Sequence, residues 1–369
     1  MTKGQKIAVA MSGGVDSSVA AALLIEKGFD VIGLTMKLPA VSTDSDGRCC
    51  GTKAIDDARA VAAKLDIPFY VINCEKQFDE RVINYFCDEY SHGKTPNPCV
   101  VCNQELKFGK LLDKAKELGA DILATGHYAR VDYDAQKRRY ILKKAEDKNK
   151  DQSYFLFSLT QEQLKGALFP LTEITKVEVR RIAKKLGMKI HDKKESQEIC
   201  FVEGKYQDFM KARGISVGFR PGNIIDRAGN ITGEHQGLAY YTIGQRKGIG
   251  AHGALRYVTE IDAKKNAVII GGADDLMRRV ITVGNLNWID RKKLTSSLRA
   301  KVRIRYKHTE QSALIEPSSG GRAIITFDKA QRAPAPGQAA VFYDGDAVLG
   351  GGWIRKTTGY DSCGDMDIL

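Results

Sequence analysis

Ser12-Gly13-Gly14-Val15-Asp16-Ser17-Ser18 decides how this 369-residue chain is read. The apolar run before it, Ile7 to Met11, has the length of a buried strand. Val19 to Lys27 then carries apolar residues at helical spacing and is closed by Gly28. The stretch therefore predicts a strand-to-helix turn. Its glycines let the backbone approach a ligand, and its amides gather at a helix N-terminus, a geometry that binds phosphate. The Gly-Lys-Ser/Thr ending with which a P-loop grips β- and γ-phosphates is missing. Ser12, Ser17 and Ser18 are read as additional hydroxyl donors. A capped glycine turn accounts for any one of these residues, but not for seven in this order behind a strand.

Outward from the loop, strand and helix alternate. Strands are expected at Ile7–Met11, Val31–Met36, Phe69–Asn73 and Asp121–Thr125, with helices at Val19–Lys27, Ala54–Leu65, Glu80–Tyr90 and Glu105–Leu118. This grammar predicts an α/β domain with a doubly wound parallel sheet whose ligands sit at the carboxyl ends of the strands. Gly126-His127-Tyr128 then falls on the same edge as the Ser12 loop. A hairpin follows, Tyr128–Tyr133 with Arg139–Lys143, and Thr175 to Glu178 has capping-box spacing. After about residue 205 short strands and Gly/Asp turns take over, and from about 280 only strands are visible, which predicts a small β-barrel or sandwich. The expected domains are 1–205, 206–278 and 279–369.

The formal charge of +12 points weakly to a polyanionic partner. No stretch approaches membrane-span length and no signal peptide is recognised, so the expected location is the cytoplasm. Eight cysteines without an export signal read as thiols, metal ligands or redox groups rather than a disulfide framework. Cys74 and Cys87 fall in a strand region and a helix and read as small buried hydrophobes. Cys49, Cys50 and Cys363 receive no role.

In Thr95-Pro96-Asn97-Pro98-Cys99-Val100-Val101-Cys102-Asn103, two prolines fix the backbone entering a C-x-x-C. If Cys102 runs into a helix N-terminus, the dipole lowers its thiol pKa, as suits a nucleophile. The same spacing suits two ligands of a metal or iron–sulfur cluster. Cys200, between Ile199 and Phe201, is nearly mute by itself.

Together, SGGVDSS, Gly33 to Lys37, TPNPCVVCN, TGHY (Thr125 to Tyr128), Lys150 to Leu156, Ser196 to Phe201, GEHQG (Gly233 to Gly237), Thr242 to Gly248 and Pro336-Gly337-Gln338 closely resemble, in order and over essentially the whole chain, the tRNA-specific 2-thiouridylases. These belong to the ATP pyrophosphatase (PP-loop) superfamily, which cuts ATP between its α- and β-phosphates. The resemblance implies an N-terminal PP-loop catalytic domain, a central mainly-β domain and a C-terminal tRNA-binding β-barrel. It implies sulfur transfer to C2 of the wobble uridine through an adenylated base, releasing AMP and pyrophosphate.

By that resemblance Ala10, Met11, Ser12, Gly13, Gly14, Val15, Asp16 and Ser17 form the ATP loop, with Asp16 on Mg²⁺, Met36 near adenine and Gly126 closing over the nucleotide. Cys200 resembles the persulfide carrier and Cys102 the nucleophile that pairs with it. Asn97, Pro98 and Cys99 meet the target base with His127 close by. Lys150, Asp151, Gln152, Arg305, Tyr306 and Gln338 resemble tRNA contacts, and a cysteine desulfurase or sulfur relay protein is the implied donor. Cys99 stands where some members have Asp, so Cys99, Cys102 and Cys200 are also candidate ligands of a [4Fe–4S] cluster with an open iron for sulfide. Lys301, Arg303, Arg305 and Lys307 alternate along an expected strand and predict a basic face beside the Arg138–Lys150 cluster.

Overall fold

The computed structural model describes residues 2–39, 52–193, 199–251 and 253–358. The chain falls into two compact units. The first holds Met1–Ile83, Pro98–Glu203 and Asp346–Leu349; the second holds Asn84–Asn97, Gly204–Gly345 and Gly350–Leu369. Asn84–Asn97, inside the expected 1–205 domain, belong to the second unit.

In the first unit, β1 (Lys6–Ala10), β2 (Asp30–Lys37), β3 (Phe69–Asn73), β4 (Ile122–Thr125) and β7 (Ala167–Leu168) form a parallel sheet in the order β3-β2-β1-β4-β7. β1 and β2 are continuous apolar runs because helices cover both faces, and Ile7, Ala8, Val9 and Leu34 are fully buried. The chain winds one way from β1 to β3 and returns to β4 on the other side of β1. The loops after β1 and β4 therefore leave neighbouring strand ends, with Ala10 opposite Thr125. That is the switch point where open α/β sheets bind ligands. β5 (Ala129–Asp134) and β6 (Arg139–Lys144) form the expected hairpin, and Lys143 and Leu142 pair with Ala347 and Val348.

Helix boundaries differ from expectation in ways that matter. Helix α1 runs Val15–Glu26, four residues earlier than its apolar pattern suggests, so Asp16, Ser17 and Ser18 occupy its first turn. Ser17 and Ser18 hydroxyls bond back to the Gly14 carbonyl, which lets polar residues start the helix. The expected Glu105–Leu118 helix begins at Pro98, where proline's fixed φ suits a first helical position. It continues through a widened π-helical stretch, Cys102–Leu111, to Glu117. The expected Glu80–Tyr90 helix is a broken run: Glu75–Phe78, a π turn at Asp79–Ile83, then Asn84–Ser91.

In the second unit, β8 (Gly222–Ile225), β9 (Ile231–His235), β10 (Tyr257–Asp262) and β11 (Ala267–Gly271) form a sheet in the order β10-β11-β8-β9. The GEHQG motif is structural here. His235 is buried, accepts from the Gly237 amide at 3.0 Å and lies 3.0 Å from the Asn266 carbonyl. Beyond it, β12 (Met277–Trp288), β13 (Leu298–Arg303), β14 (Gln311–Ser318), β15 (Arg322–Arg332), β16 (Ala339–Asp344) and β17 (Ala347–Thr358) run β12-β15-β14-β13-β16-β17. A β12–β17 pairing closes them into a six-stranded barrel. Alternating Ile281 and Val283, Ala313 and Ile315, and Ala323, Ile325 and Phe327 fill its interior. β14 went unrecognised because Gln311-Ser312 and Pro317 dilute its alternation.

The barrel corrects the expected basic face. β13 ends at Arg303, so Arg305 and Lys307 are not on it. Arg303 is itself half-buried, 2.7 Å from Glu310 and lying over the Tyr343 ring. Its charge is neutralised inside the unit, while Arg305 and Lys307 are exposed.

Candidate active site

The loop after β1 makes the floor of a cavity of about 360 Å³ in the first unit. Gly13 has φ +68°, and a Cβ there would lie 2.3 Å from the Ala54 carbonyl oxygen, so only glycine fits. Gly14 caps α1 without a side-chain hydrogen bond, leaving the first-turn amides facing the cavity end of a twelve-residue helix. Ser17 Oγ accepts from the Ser12 amide at 3.2 Å and lies 3.4 Å from Ser12 Oγ, which draws the loop around its own hydroxyls. Ala10, Met11, Ser12, Gly14, Val15, Asp16 and Ser17 all line the cavity. Ser18 does not: it is fully buried, with its hydroxyl on the Gly14 carbonyl at 2.9 Å, and is no ligand donor.

From β4, Gly126 packs so tightly on this loop that a Cβ would lie 2.6 Å from the Ser17 nitrogen. Leu34, Thr35, Met36 and Leu38 supply an apolar wall beyond the end of β1, suited to a flat base. Thr125 and His127 continue the rim. His127 sits 2.7 Å from Thr125 Oγ1 and 3.5 Å from Lys107 Nζ. Burial first, and then the Lys107 ammonium, hold its pKa well below the ordinary histidine value, so the imidazole is neutral near pH 7.

Three lysines outside the sequence motifs also line the cavity: Lys107, Lys176 and Lys193. Lys176, at the first position of the helix Lys176–Lys185, reaches both Asp16 oxygens at 2.6 Å. Tyr128 donates to Asp16 Oδ1 at 2.9 Å. Lys193 donates to the Gly13 carbonyl at 3.2 Å and to Asp57 at 2.7 Å. Lys176 and Lys193 arrive from more than 150 positions downstream of the loop. The capping box at Thr175 and Glu178 was legible; where its helix delivers Lys176 was not.

The same cavity carries sulfur. Pro98, Cys99 and Cys102 line the cavity from the 98–117 helical run, and Cys200 lines it between Ile199 and Phe201, whose ring packs edge-on against Phe78 at 5.4 Å. The expectation that Cys102 runs into a helix N-terminus is corrected: because the helix starts at Pro98, Cys99 holds the first-turn position and Cys102 opens the widened π-helical stretch. Cys99 is exposed, while Cys102 and Cys200 are half-buried. Among the described residues no three His, Cys, Asp or Glu side chains group to hold a metal ion. Cys99, Cys102 and Cys200 all lie among the described residues and line this one cavity. Ser196, Gln197, Glu198, Cys49, Cys50 and Cys363 lie outside the described residues.

Among the expected tRNA contacts, Gln152 lines the cavity and accepts from the Tyr128 amide at 3.0 Å. Asp151 is buried, with its carboxylate on the Ser153 amide and hydroxyl at 3.1 and 3.0 Å, so it shapes the turn rather than facing solvent. Lys150 is half-buried, its amide on the Asp147 carbonyl. Asn97, Arg305, Tyr306 and Gln338 belong to the second unit. There Gln338 donates to the Thr95 and Pro96 carbonyls at 3.1 and 3.3 Å, and Thr95 donates to the Pro336 carbonyl at 2.9 Å. The Pro336-Gly337-Gln338 turn thus clamps the backbone ahead of Asn97. Gly337, at φ +90°, admits no Cβ against Thr95.

Residues 5–204 match the family described as the tRNA methyl transferase HUP domain. Residues 207–272 match its PRC-barrel domain, and residues 278–354 match the aminomethyltransferase beta-barrel domain. A tRNA-specific 2-thiouridylase MnmA of Moorella thermoacetica is 52% identical over 94% of this chain and 99% of its own length. A protein of the same name from Acetivibrio thermocellus is 48% identical over 95% and 99%. Another, from Clostridium perfringens, is 46% identical over 96% and 99%. Coverage of this extent at this identity, on a PP-loop α/β unit whose cavity carries the motif residues, makes the chain a member of the tRNA-specific 2-thiouridylase (MnmA) family.

Proposed function

We propose that this protein is a tRNA-uridine 2-sulfurtransferase that converts the wobble uridine to 2-thiouridine with consumption of ATP, releasing AMP and pyrophosphate. The observation that carries the reading is a single cavity lined both by the loop after β1 and by Cys99, Cys102 and Cys200. ATP suits it: the loop, Lys176 and Lys193 are assigned to the phosphates, and Leu34 and Met36 to the base, all of them lining the cavity. Asp16 is the loop's carboxylate, and one carboxylate with phosphate oxygens is a usual Mg²⁺ ligand set.

The chemistry divides between the loop and the thiols. Uridine O2 attacks the α-phosphorus, pyrophosphate leaves along the loop, and C2 acquires AMP as a leaving group. A cysteine desulfurase or sulfur relay protein loads Cys200 as a persulfide. Its terminal sulfur attacks C2 and AMP departs. The Cys102 thiolate then attacks the inner sulfur, which releases the thiocarbonyl and leaves a Cys102–Cys200 disulfide. An external thiol reductant returns the two electrons. Neutral His127 lines the cavity beside Lys107, and Phe78 and Phe201 exclude water from the sulfur. The target uridine leaves the anticodon stack to reach both groups. Arg305, Tyr306 and Lys150 are proposed contacts to the tRNA backbone, and Asn97 and Pro98 to the base.

Unmodified tRNA incubated with the protein, ATP and a desulfurase–cysteine persulfide source is digested, and its nucleosides are identified by mass spectrometry. The reading expects 2-thiouridine and AMP in equal amounts. ADP as the tRNA-dependent product, or sulfur at another position, overturns it.

A further inference from the structure

We propose that Lys176 is a phosphate-binding residue that exchanges partners. In the structure its ammonium neutralises Asp16; with ATP it moves onto the β- and γ-phosphates and releases the Asp16 carboxylate. This rests on the nucleotide reading above and assigns a residue that the sequence motifs leave without a role.

The geometry is specific. Lys176 is buried and its ammonium contacts both Asp16 oxygens at 2.6 Å, while the Tyr128 hydroxyl takes a further position on Oδ1. A carboxylate holding three donor contacts has little capacity left for a cation. Removing the lysine would leave a carboxylate at the helix N-terminus facing an incoming triphosphate, and like charges repel there. Lys176 also lines the cavity itself, on the same wall as the loop. Its backbone is held in place on two sides. Thr175 and Glu178 form a reciprocal capping box, and the Lys176 amide donates to Asp147 at 3.0 Å. Only the flexible stem is left to move. A triphosphate offers the ammonium more negative charge than one carboxylate does, so the exchange is downhill when ATP binds and absent when AMP binds.

The test is equilibrium binding of a fluorescent, non-hydrolysable ATP analogue and of fluorescent AMP, with EDTA and without tRNA. Lys176→Met is expected to weaken ATP-analogue binding about tenfold, the loss of one charge-assisted contact, and to leave AMP binding within about twofold. Asp16→Asn, which frees the lysine, is expected to tighten the analogue under the same metal-free conditions. The double variant carries no uncompensated carboxylate and so guards against misfolding; it is expected to bind the analogue as weakly as Lys176→Met. If the lysine serves only to neutralise Asp16, the double variant binds like the parent, and the proposal fails. Equal weakening of ATP analogue and AMP in Lys176→Met also overturns it. Failure of the parent protein to bind either nucleotide instead overturns the nucleotide reading, and the Lys176 assignment with it.

Discussion

The loop after β1 and the segment entering the 98–117 helical run both carry the chain from a turn into a helix, yet they are held in different ways. The first is held largely by local bonds: Ser12, Gly14, Ser17 and Ser18 bond to one another within five residues, and Lys193 adds a distant donor to the Gly13 carbonyl. The backbone ahead of Asn97 is instead held by Gln338, 243 residues away. Local hydrogen bonding makes the phosphate loop a unit that a short motif can specify. The second turn has prolines to limit its backbone but depends on distant partners for its place, so its motif announces rigidity without saying what enforces it.

The largest expected effects separate the phosphate loop from the thiols. Cys102→Ser and Cys200→Ser should each abolish 2-thiouridine while leaving ATP-analogue binding within about twofold, because neither thiol belongs to the phosphate loop. Asp16→Ala should abolish AMP formation while Cys200 still accepts a persulfide, seen as a mass gain of about 32 Da for one sulfur atom. If the cysteine variants lost nucleotide binding as well, the loop and the thiols would not act separately.

Gly126→Ala probes how firmly β4 holds the loop. Its Cβ would press on the Ser17 nitrogen and the Asp16 backbone, which cannot give way like a flexible side chain. A cost of about 1–3 kcal/mol is expected in overpacking, read as reduced urea stability together with weaker ATP binding. Unchanged values in both would show that the loop is free of β4.

The third comparison lies within the barrel. Arg305→Ala should lower the slope of log tRNA affinity against log salt by about one unit. Arg303→Ala should leave the slope unchanged and lower stability, because Arg303 is paired with Glu310. A reversed pattern would mean that Arg303 reaches RNA.

The parallel sheet and the phosphate loop were legible because buried strands, helical spacing and glycine turns leave local marks. So were the C-x-x-C and the change to β structure after 205. The helix start at Pro98 was not, since Cys99-Val100-Val101-Cys102 has no helical period. Lys176 and Lys193 were invisible for another reason: a lysine in a polar helix turn or loop looks like any solvated lysine until the fold delivers it. Arg303 was misplaced because alternation alone cannot tell a basic face from a half-buried ion pair.

The smallest effect expected concerns pH. Burial and then the nearby Arg305 and Arg303 charges push the His308 pKa down to about 4. The unfolded chain takes up that proton near pH 6.5 and the folded barrel does not. Stability is therefore full above pH 6.5 and falls as pH drops from there toward 4. His308→Asn should lose less stability than the parent between pH 7 and pH 5 in urea melts. Parallel losses would remove His308 from the account.

Coupling of phosphate chemistry to sulfur delivery in one cavity is probed by a single turnover of protein carrying a ³⁴S-labelled persulfide on Cys200, mixed with unmodified tRNA with and without ATP. ³⁴S is expected in 2-thiouridine only with ATP, at one labelled nucleoside per AMP, and not at all from Asp16→Ala protein. Label reaching the uridine without ATP, or equally from the Asp16→Ala variant, would contradict it.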